Sequence, residues 1–396
     1  MLYEKMIKLK KQPAFYFIVV VWGDEYVDML LRISLPCFLS PLNIPALNNL
    51  SDSRFLFVTT KQDYSKIVES SIFKKLETYI QPILVELDMS GDEAIHFRMT
   101  MGYELASNLA YEQKAYAVYL LPDCLVSNGT FLSLEKYAHE GKDVVLLPGP
   151  RVIKEKIFAY VNNMQLDADE ALCFSPRKLA AIGLDFLHTE FRNYNYTEKW
   201  FTKWPQMVSW NVPGQRGLLI RAFHLHPLMV NFSDRQERAS FNKNDTIDAN
   251  FIKRNFLDIN KIYLERDSDN MILYSMTNAK DRIELGLITQ QNDKLKAIIN
   301  ISQSQLVNAL QKIYFYNAYM LHCDELGKEW FLIEKDSLLV TDAVLNSAKV
   351  ELPIKFKKLR LLLGPILPKW FKAFLRRLYW KMYRLIGLVR SRLVRV

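Results

Sequence analysis

The chain has 396 residues, half of them hydrophobic and 24% charged, with four cysteines and a formal net charge of +9. That composition excludes a disordered chain, a collagen and a disulfide scaffold, and the length suits two to three domains. The charge is not spread evenly: 13 Lys and Arg and no acid lie between Leu352 and Val396, which leaves 39 basic against 43 acidic groups in the first 351 residues. A mildly acidic body with a basic tail argues against nucleic acid as a partner, and no nucleic-acid motif is present. Cys37, Cys124, Cys173 and Cys323 show neither CxxC pairing nor zinc spacing, which fits a reduced, cytosolic chain.

In chain order, Phe15–Trp22 is a continuous β-branched and aromatic run, expected for a strand covered on both faces. It is too short for a membrane span of roughly 20 residues, and Gly-Asp-Glu follows it where a signal peptide would carry a small-residue cleavage site. Helix is expected over 25–38, strand over 54–60, helix over 64–79, strand over 81–87, helix over 94–113 and strand over 115–121. A helix over 131–140 and a strand over 143–147 complete the series. Strand alternates with helix, so the first 150 residues read as an α/β domain with a mostly parallel sheet and its ligand at the strand C-termini. Beyond that the pattern loosens. Helix is expected over 168–192, loops over 193–222 with a strand from 217 to 223, a short helix over 246–256, a strand over 261–265, a short apolar element over 271–276, and mixed helix over 278–350.

Nucleotide fingerprints of the GxGxxG and GxxxxGK[ST] kind are absent, as are GxSxG and HExxH. Acidic residues at strand ends remain. Trp22-Gly23-Asp24-Glu25-Tyr26 closes the first strand, and Pro122-Asp123-Cys124 closes the fourth, followed by Ser127-Asn128-Gly129-Thr130 and a helix. A carboxylate on a rigid strand end can hold a divalent cation that bridges a diphosphate, because Mg²⁺ and Mn²⁺ need only one or two protein carboxylates when phosphates supply the rest. The competing reading makes Asp123 and Asn128-Gly129 ordinary turn residues.

This order of elements and motifs over residues 14–150 resembles the nucleotide-sugar half of GT-A glycosyltransferases. The resemblance implies a GT-A-like, Rossmann-type sheet with flanking helices. It also implies that the first strand and its loop (Trp22, Gly23, Asp24, Glu25, Tyr26), with Thr59 at the second strand end, hold the nucleotide, and that Asp123 stands in the metal- and donor-binding position. The family usually has Asp-x-Asp there, and this chain has one carboxylate. Either Asp123 holds a Mn²⁺ or Mg²⁺ ion with help from elsewhere, or cationic side chains offset the diphosphate, with Arg151 the nearest candidate.

Further candidates lie in the middle third. His224 and His226, at i and i+2, share a face if extended and could complete a metal site or simply bond a loop. Asp267-Ser268-Asp269 is a literal Asp-x-Asp after a strand, or a turn of common type. Asp248 could act as general base, or could face the dipole of the helix it opens. Six aromatic residues between Tyr194 and Trp210 suit an acceptor-side loop, since sugars present C–H faces to flat rings.

The tail from 352 to 396 reads as an amphipathic helix after Pro368. Lys372, Arg376, Arg377, Lys381 and Arg384 fall in one sector, and Phe371, Leu375, Leu378, Met382 and Leu385 fall opposite, at about 100° per residue. Such a helix lies in an anionic membrane interface and does not span it. The expected organisation is a donor half over 1–150, an acceptor half over 151–280, a helical extension over 281–351 and the membrane-binding tail. The expected activity is transfer of a sugar from a nucleotide-diphosphate donor to a glycan or lipid-linked acceptor at the cytoplasmic face of the plasma membrane. The alternative is a non-catalytic, transferase-like scaffold for polysaccharide assembly.

Overall fold

In a computed structural model, residues 12–347 are described, apart from 89–93, 168, 243–246, 248, 282–285 and 307. The strands are β1 (Phe15–Val20), β2 (Arg54–Thr59), β3 (Gln81–Glu86), β4 (Tyr116–Leu120), β5 (Cys124–Val126), β6 (Val144–Leu147), β7 (Arg151–Ile153) and β8 (Phe201–Thr202). They continue with β9 (Met207–Asn211), β10 (Gly217–Ala222), β11 (His226–Asn231), β12 (Ile262–Leu264), β13 (Leu273–Thr277), β14 (Leu287–Ile288) and β15 (Tyr319–His322). The described helices are α1 (Asp24–Met29), α2 (Leu35–Phe38), α3 (Lys61–Glu69), α4 (Ser71–Glu77), α5 (Ile95–Glu112), α6 (Thr130–His139), α7 (Lys154–Asn162), α8 (Pro176–Asp185) and α9 (Thr189–Arg192). After them come α10 (Ala249–Asn255), α11 (Gln291–Gln305), α12 (Ala309–Tyr316) and α13 (Lys328–Ser347).

The fold is α/β. Its central sheet has seven strands in the order β12-β6-β11-β4-β1-β2-β3. Six run parallel, and β11 is antiparallel to both β4 and β6. The alternation of β1 explains its burial on both sides. Phe15, Phe17 and Val19 join the core under α1, α2, α4 and α6, while Tyr16, Ile18 and Val20 join the core under α5. Each fully buried phenylalanine contributes about 1.5–3 kcal/mol, and Phe17 packs its ring 4.9 Å from Phe131 at the start of α6. Gly102 lets α5 sit close on the sheet, since a Cβ there would lie 3.0 Å from methyls of both Val20 and Val58.

Four readings of the sequence need correction. The helix expected over 64–79 is two helices, because Ser70 leaves helical geometry and its Oγ accepts the Phe73 N–H to cap α4. The helix expected over 168–192 is reduced to α8 and α9, and the loop expected over 193–216 contains β9. The central strand β11 was not expected at all. Pro227 breaks its pattern, and the strand accommodates the proline beside a register shift between Pro227 and Met229.

Smaller sheets surround the main one: β5-β13-β7, β15-β10-β9 and the pair β14-β8. A third core joins β9 and β10 to α11, α12 and α13 around Trp210, Phe223, Phe315 and Trp330. Arg221 is fully buried there. It donates to the Ser337 hydroxyl at 2.8 Å and to the carbonyls of Phe315 and Tyr316 at the end of α12. A guanidinium on terminal carbonyls meets the negative end of the helix, and burial pulls its pKa down to about 10. No described helix is long and apolar enough to cross a membrane.

Candidate functional site

Parallel strands deliver their C-terminal residues to one edge of a sheet, and Asp123 follows β4 there, half-buried. Its main-chain oxygen accepts the Met276 N–H at 2.8 Å, and its carboxylate accepts the Ser275 hydroxyl at 2.9 Å. β13 is therefore the strand that fixes it. Thr277, two residues along and so on the same face, accepts from Nη1 of Arg151 at 2.9 Å. Arg151 Nε in turn lies 3.3 Å from the Glu190 carboxylate. Glu190 is buried in the first turn of α9 and also accepts the Tyr194 hydroxyl at 2.8 Å. Asp123, Ser275, Thr277, Arg151 and Glu190 thus form one polar row across β5-β13-β7.

The loop after β1 joins this row at its far end. Gly23 has φ +80, a conformation other residues resist, and gives its N–H to Asp63 at 3.0 Å. Glu25 is paired with Lys154 at 2.5 Å and takes the Asn278 amide at 3.3 Å, and these hydrogen bonds hold its carboxyl below the usual range. Asn278 directly follows β13, and its carbonyl contacts His188 Nε2 at 3.1 Å. Asp24 is paired with Lys66, which also reaches Asp63 at 3.2 Å. The Lys66 ammonium has its pKa raised by the two carboxylates, Asp24 first. Tyr26 stands 47% exposed and Trp22 half-buried at the same turn. Thr59, at the end of the neighbouring β2, is buried, and among the described residues its hydroxyl has no hydrogen-bond partner.

The other sequence candidates fall elsewhere. His224 and His226 do not share an extended face, because β10 ends at Ala222 and β11 begins at His226, with the chain bending between them. His224 pairs with Gln305. His226 donates Nε2–H to the Tyr119 carbonyl at 2.7 Å. That carbonyl lies where the β11–β4 ladder stops short, beside a proline that has no N–H to give. Burial pushes the His226 pKa down, so it stays neutral. Its tie to β4 explains the residue structurally.

Asp267 and Asp269 meet His322 of β15, with one ligand atom from each within 4.8 Å of the others, a possible metal-binding triad. These groups already have partners. Asp269 takes a forked contact from Arg177, 2.8 Å at its shorter arm. His322 contacts the Asp267 carboxylate through Nε2 at 2.8 Å and the Asp324 carbonyl through Nδ1 at 2.6 Å. Both neighbours only accept, so both ring nitrogens carry protons. Hydrogen bonds to Asp267 and Asp324 raise the His322 pKa against the opposing effect of burial. A divalent cation would have to displace the Nε2 proton and the Arg177 fork.

Asp248 and the tail over 352–396 lie outside the described residues. Sequence reasoning missed Glu190, Lys154, Ser275, Thr277 and His322. For Glu190 a local signal existed, since an acid in a first helical turn after a capping side chain was legible at His188-Thr189-Glu190. Nothing local marks Ser275 or Thr277, whose importance comes from the pairing of β13 with β5 and β7.

No family model matches the chain, and no curated protein matches it. Among solved structures, S. aureus TarS 1–349 aligns at 11% identity and a TM-score of 0.38, over 84% of this chain and 71% of that one. A longer S. aureus TarS structure aligns at 13% identity and a TM-score of 0.36, over 84% of this chain and 43% of that one. Similarity at that level leaves the site to be read from its own residues.

Proposed function

We propose that this chain is a glycosyltransferase that moves a sugar from a nucleotide-diphosphate donor to a glycan or lipid-linked acceptor. The observation that carries this is the polar row at the strand ends, where Asp123 and Arg151 are fixed two residues apart along β13. Loss of a nucleoside diphosphate develops negative charge on its phosphates, and pre-positioned cations lower that barrier. Arg151, held by Thr277 and Glu190, supplies a forked guanidinium suited to phosphate oxygens. Lys154 supplies a second positive charge beside the loop after β1. Trp22, Gly23, Asp24, Glu25, Tyr26 and Thr59 are the proposed nucleotide side.

A Mn²⁺ or Mg²⁺ ion fits this row only through Asp123, with the donor phosphates as its other anionic ligands. When bound it would add electrostatic stabilisation of the departing diphosphate. The donor half is assigned to 1–150 and the acceptor half to 151–280, with the helical extension over 281–351. The basic tail is assigned to an anionic membrane surface on the cytoplasmic side, and loss of liposome binding on deleting 352–396 tests that assignment.

The deciding experiment is thermal stabilisation by UDP and GDP, each with and without Mn²⁺, followed by a nucleotide-sugar hydrolysis panel. Stabilisation by one nucleotide and hydrolysis of its sugar conjugate are expected. If neither nucleotide binds at millimolar concentration under either condition, the transferase assignment fails.

A further inference from the structure

A cavity of about 560 Å³ lies outside the polar row, between α8, α9, β9 and β10. That volume is in the range of ordinary ligand sites. We propose that it binds a saccharide of one to a few rings and is the acceptor subsite of this chain. The acceptor role rests on the transferase reading above, whereas saccharide binding does not.

The chemistry of the wall selects the ligand. Trp200 lines the cavity and is half exposed, with the Lys199 ammonium 5.2 Å from its ring centroid on one side, so the opposite ring face is the one the C–H side of a sugar would meet. Around it are groups that pair with hydroxyls. Asn195 donates to the Asn211 amide oxygen at 2.7 Å, and Asn211 donates to Glu198 at 2.7 Å. That relay leaves Glu198 Oε2 and the Asn193 amide without a hydrogen bond among the described residues, both of them from lining side chains. Ser209, also in the wall, is fully buried, and its Oγ has no partner among the described residues. A buried hydroxyl left unmet is costly, and a ligand hydroxyl, or a water held beneath one, would complete it.

Charge argues against a nucleotide here. The two acids of the wall, Asp185 and Glu198, are balanced by two arginines, Arg192 and Arg216, and Arg216 is already closed on Asp185 at 2.5 Å. The paired charges of the wall leave no net positive field for phosphate. The platform is also rigid before any ligand arrives. Asn195 Oδ1 accepts the Thr197 N–H at 3.0 Å, the Thr202 N–H bonds the Asn193 carbonyl at 2.9 Å, and β8, which directly follows Trp200, pairs with β14. Fixed groups lose little freedom on binding. Finally, α9 links the two places: Glu190 holds Arg151, and the next two residues, Phe191 and Arg192, line the cavity.

The test uses the full chain with four disaccharides (lactose, cellobiose, maltose and N,N′-diacetylchitobiose) at millimolar concentration, read by saturation-transfer NMR. Trp200→Ala removes the platform. Trp204→Ala is the control, since Trp204 is more exposed and lies outside the lining. At least one disaccharide should show transfer. Trp200→Ala should weaken it about tenfold, and Trp204→Ala should leave it unchanged, with all three proteins giving the same far-UV circular dichroism. No transfer from any of the four, undiminished binding by Trp200→Ala, or equal loss in both variants overturns the proposal. UDP and GDP stabilisation of the same proteins separates the two assignments. Saccharide binding without nucleotide binding sinks the transferase and leaves the cavity standing, and the reverse result does the opposite.

Discussion

Two acidic clusters lie in this molecule, and they are finished differently. At Asp123 the carboxylate meets a neutral hydroxyl, and the cations nearby sit on separate anchors, Arg151 on Thr277 and Glu190, Lys154 on Glu25. At Asp267 and Asp269 every acid faces its own counter-charge, with His322 on one and Arg177 on the other. The second cluster matches the sequence motif better, with two carboxylates in Asp-x-Asp spacing. Its two acids are the ones that a histidine and an arginine contact directly. A motif reports which groups are present, whereas the fold decides what each of them meets.

The comparison is broken most directly by alanine at each aspartate. Asp123→Ala should reduce transfer by about 10²–10³-fold, the range for loss of one electrostatic group in a site, while circular dichroism stays unchanged. Asp269→Ala in the same assay should stay within a few-fold of the parent. Equal losses in steady-state rates would erase the distinction between the clusters.

Arg151→Lys keeps the charge but cannot keep both the Thr277 and Glu190 contacts. Nucleoside-diphosphate affinity by calorimetry should fall about tenfold, or about 1.4 kcal/mol. Unchanged affinity would take the phosphate role away from Arg151.

The His322–Asp267 pair predicts a pH signature. The folded His322 pKa is raised above its unfolded value near 6.5. Its contribution is therefore complete below about pH 6.5 and is lost as pH rises through the folded value. His322→Gln should cost about 2 kcal/mol in mild acid, as for a charged hydrogen bond, and progressively less as the pH rises through the folded value. Denaturant melts of both proteins across that window check it, and a constant difference would mean that the histidine is not charged. Cation binding at this triad would show the converse, strengthening as the imidazolium loses its proton.

The smallest effect is expected from Lys154→Met. Glu25 is half exposed, so the pair should be worth less than about 1 kcal/mol of stability. The Glu25 carboxyl should return towards the ordinary glutamate range in an NMR titration. If it stays low, the Asn278 amide alone is enough to hold it there.

The first 150 residues were legible because each element states its own burial. A run such as Phe15–Val20, apolar at every position, can only be a strand covered on both sides, and the loop ends that follow such strands then fall on one edge. Asp123 and Glu25 could be named as candidates on that ground, whereas Arg151 entered only through the resemblance, as the nearest cation for a diphosphate. The basic tail is also a property of sequence, since its charge and apolar spacing need no partner to be read.

What only the tertiary structure decided is which candidates meet. β11 carries a proline, and its place between β4 and β6 depends on neighbours far away in the chain. β13 reaches Asp123 across 152 residues and Arg151 across 126. The His224–His226 spacing suggested a shared face that the bend between β10 and β11 removes. Local propensity fixes a strand and its two faces, whereas pairing between distant segments chooses what each face touches.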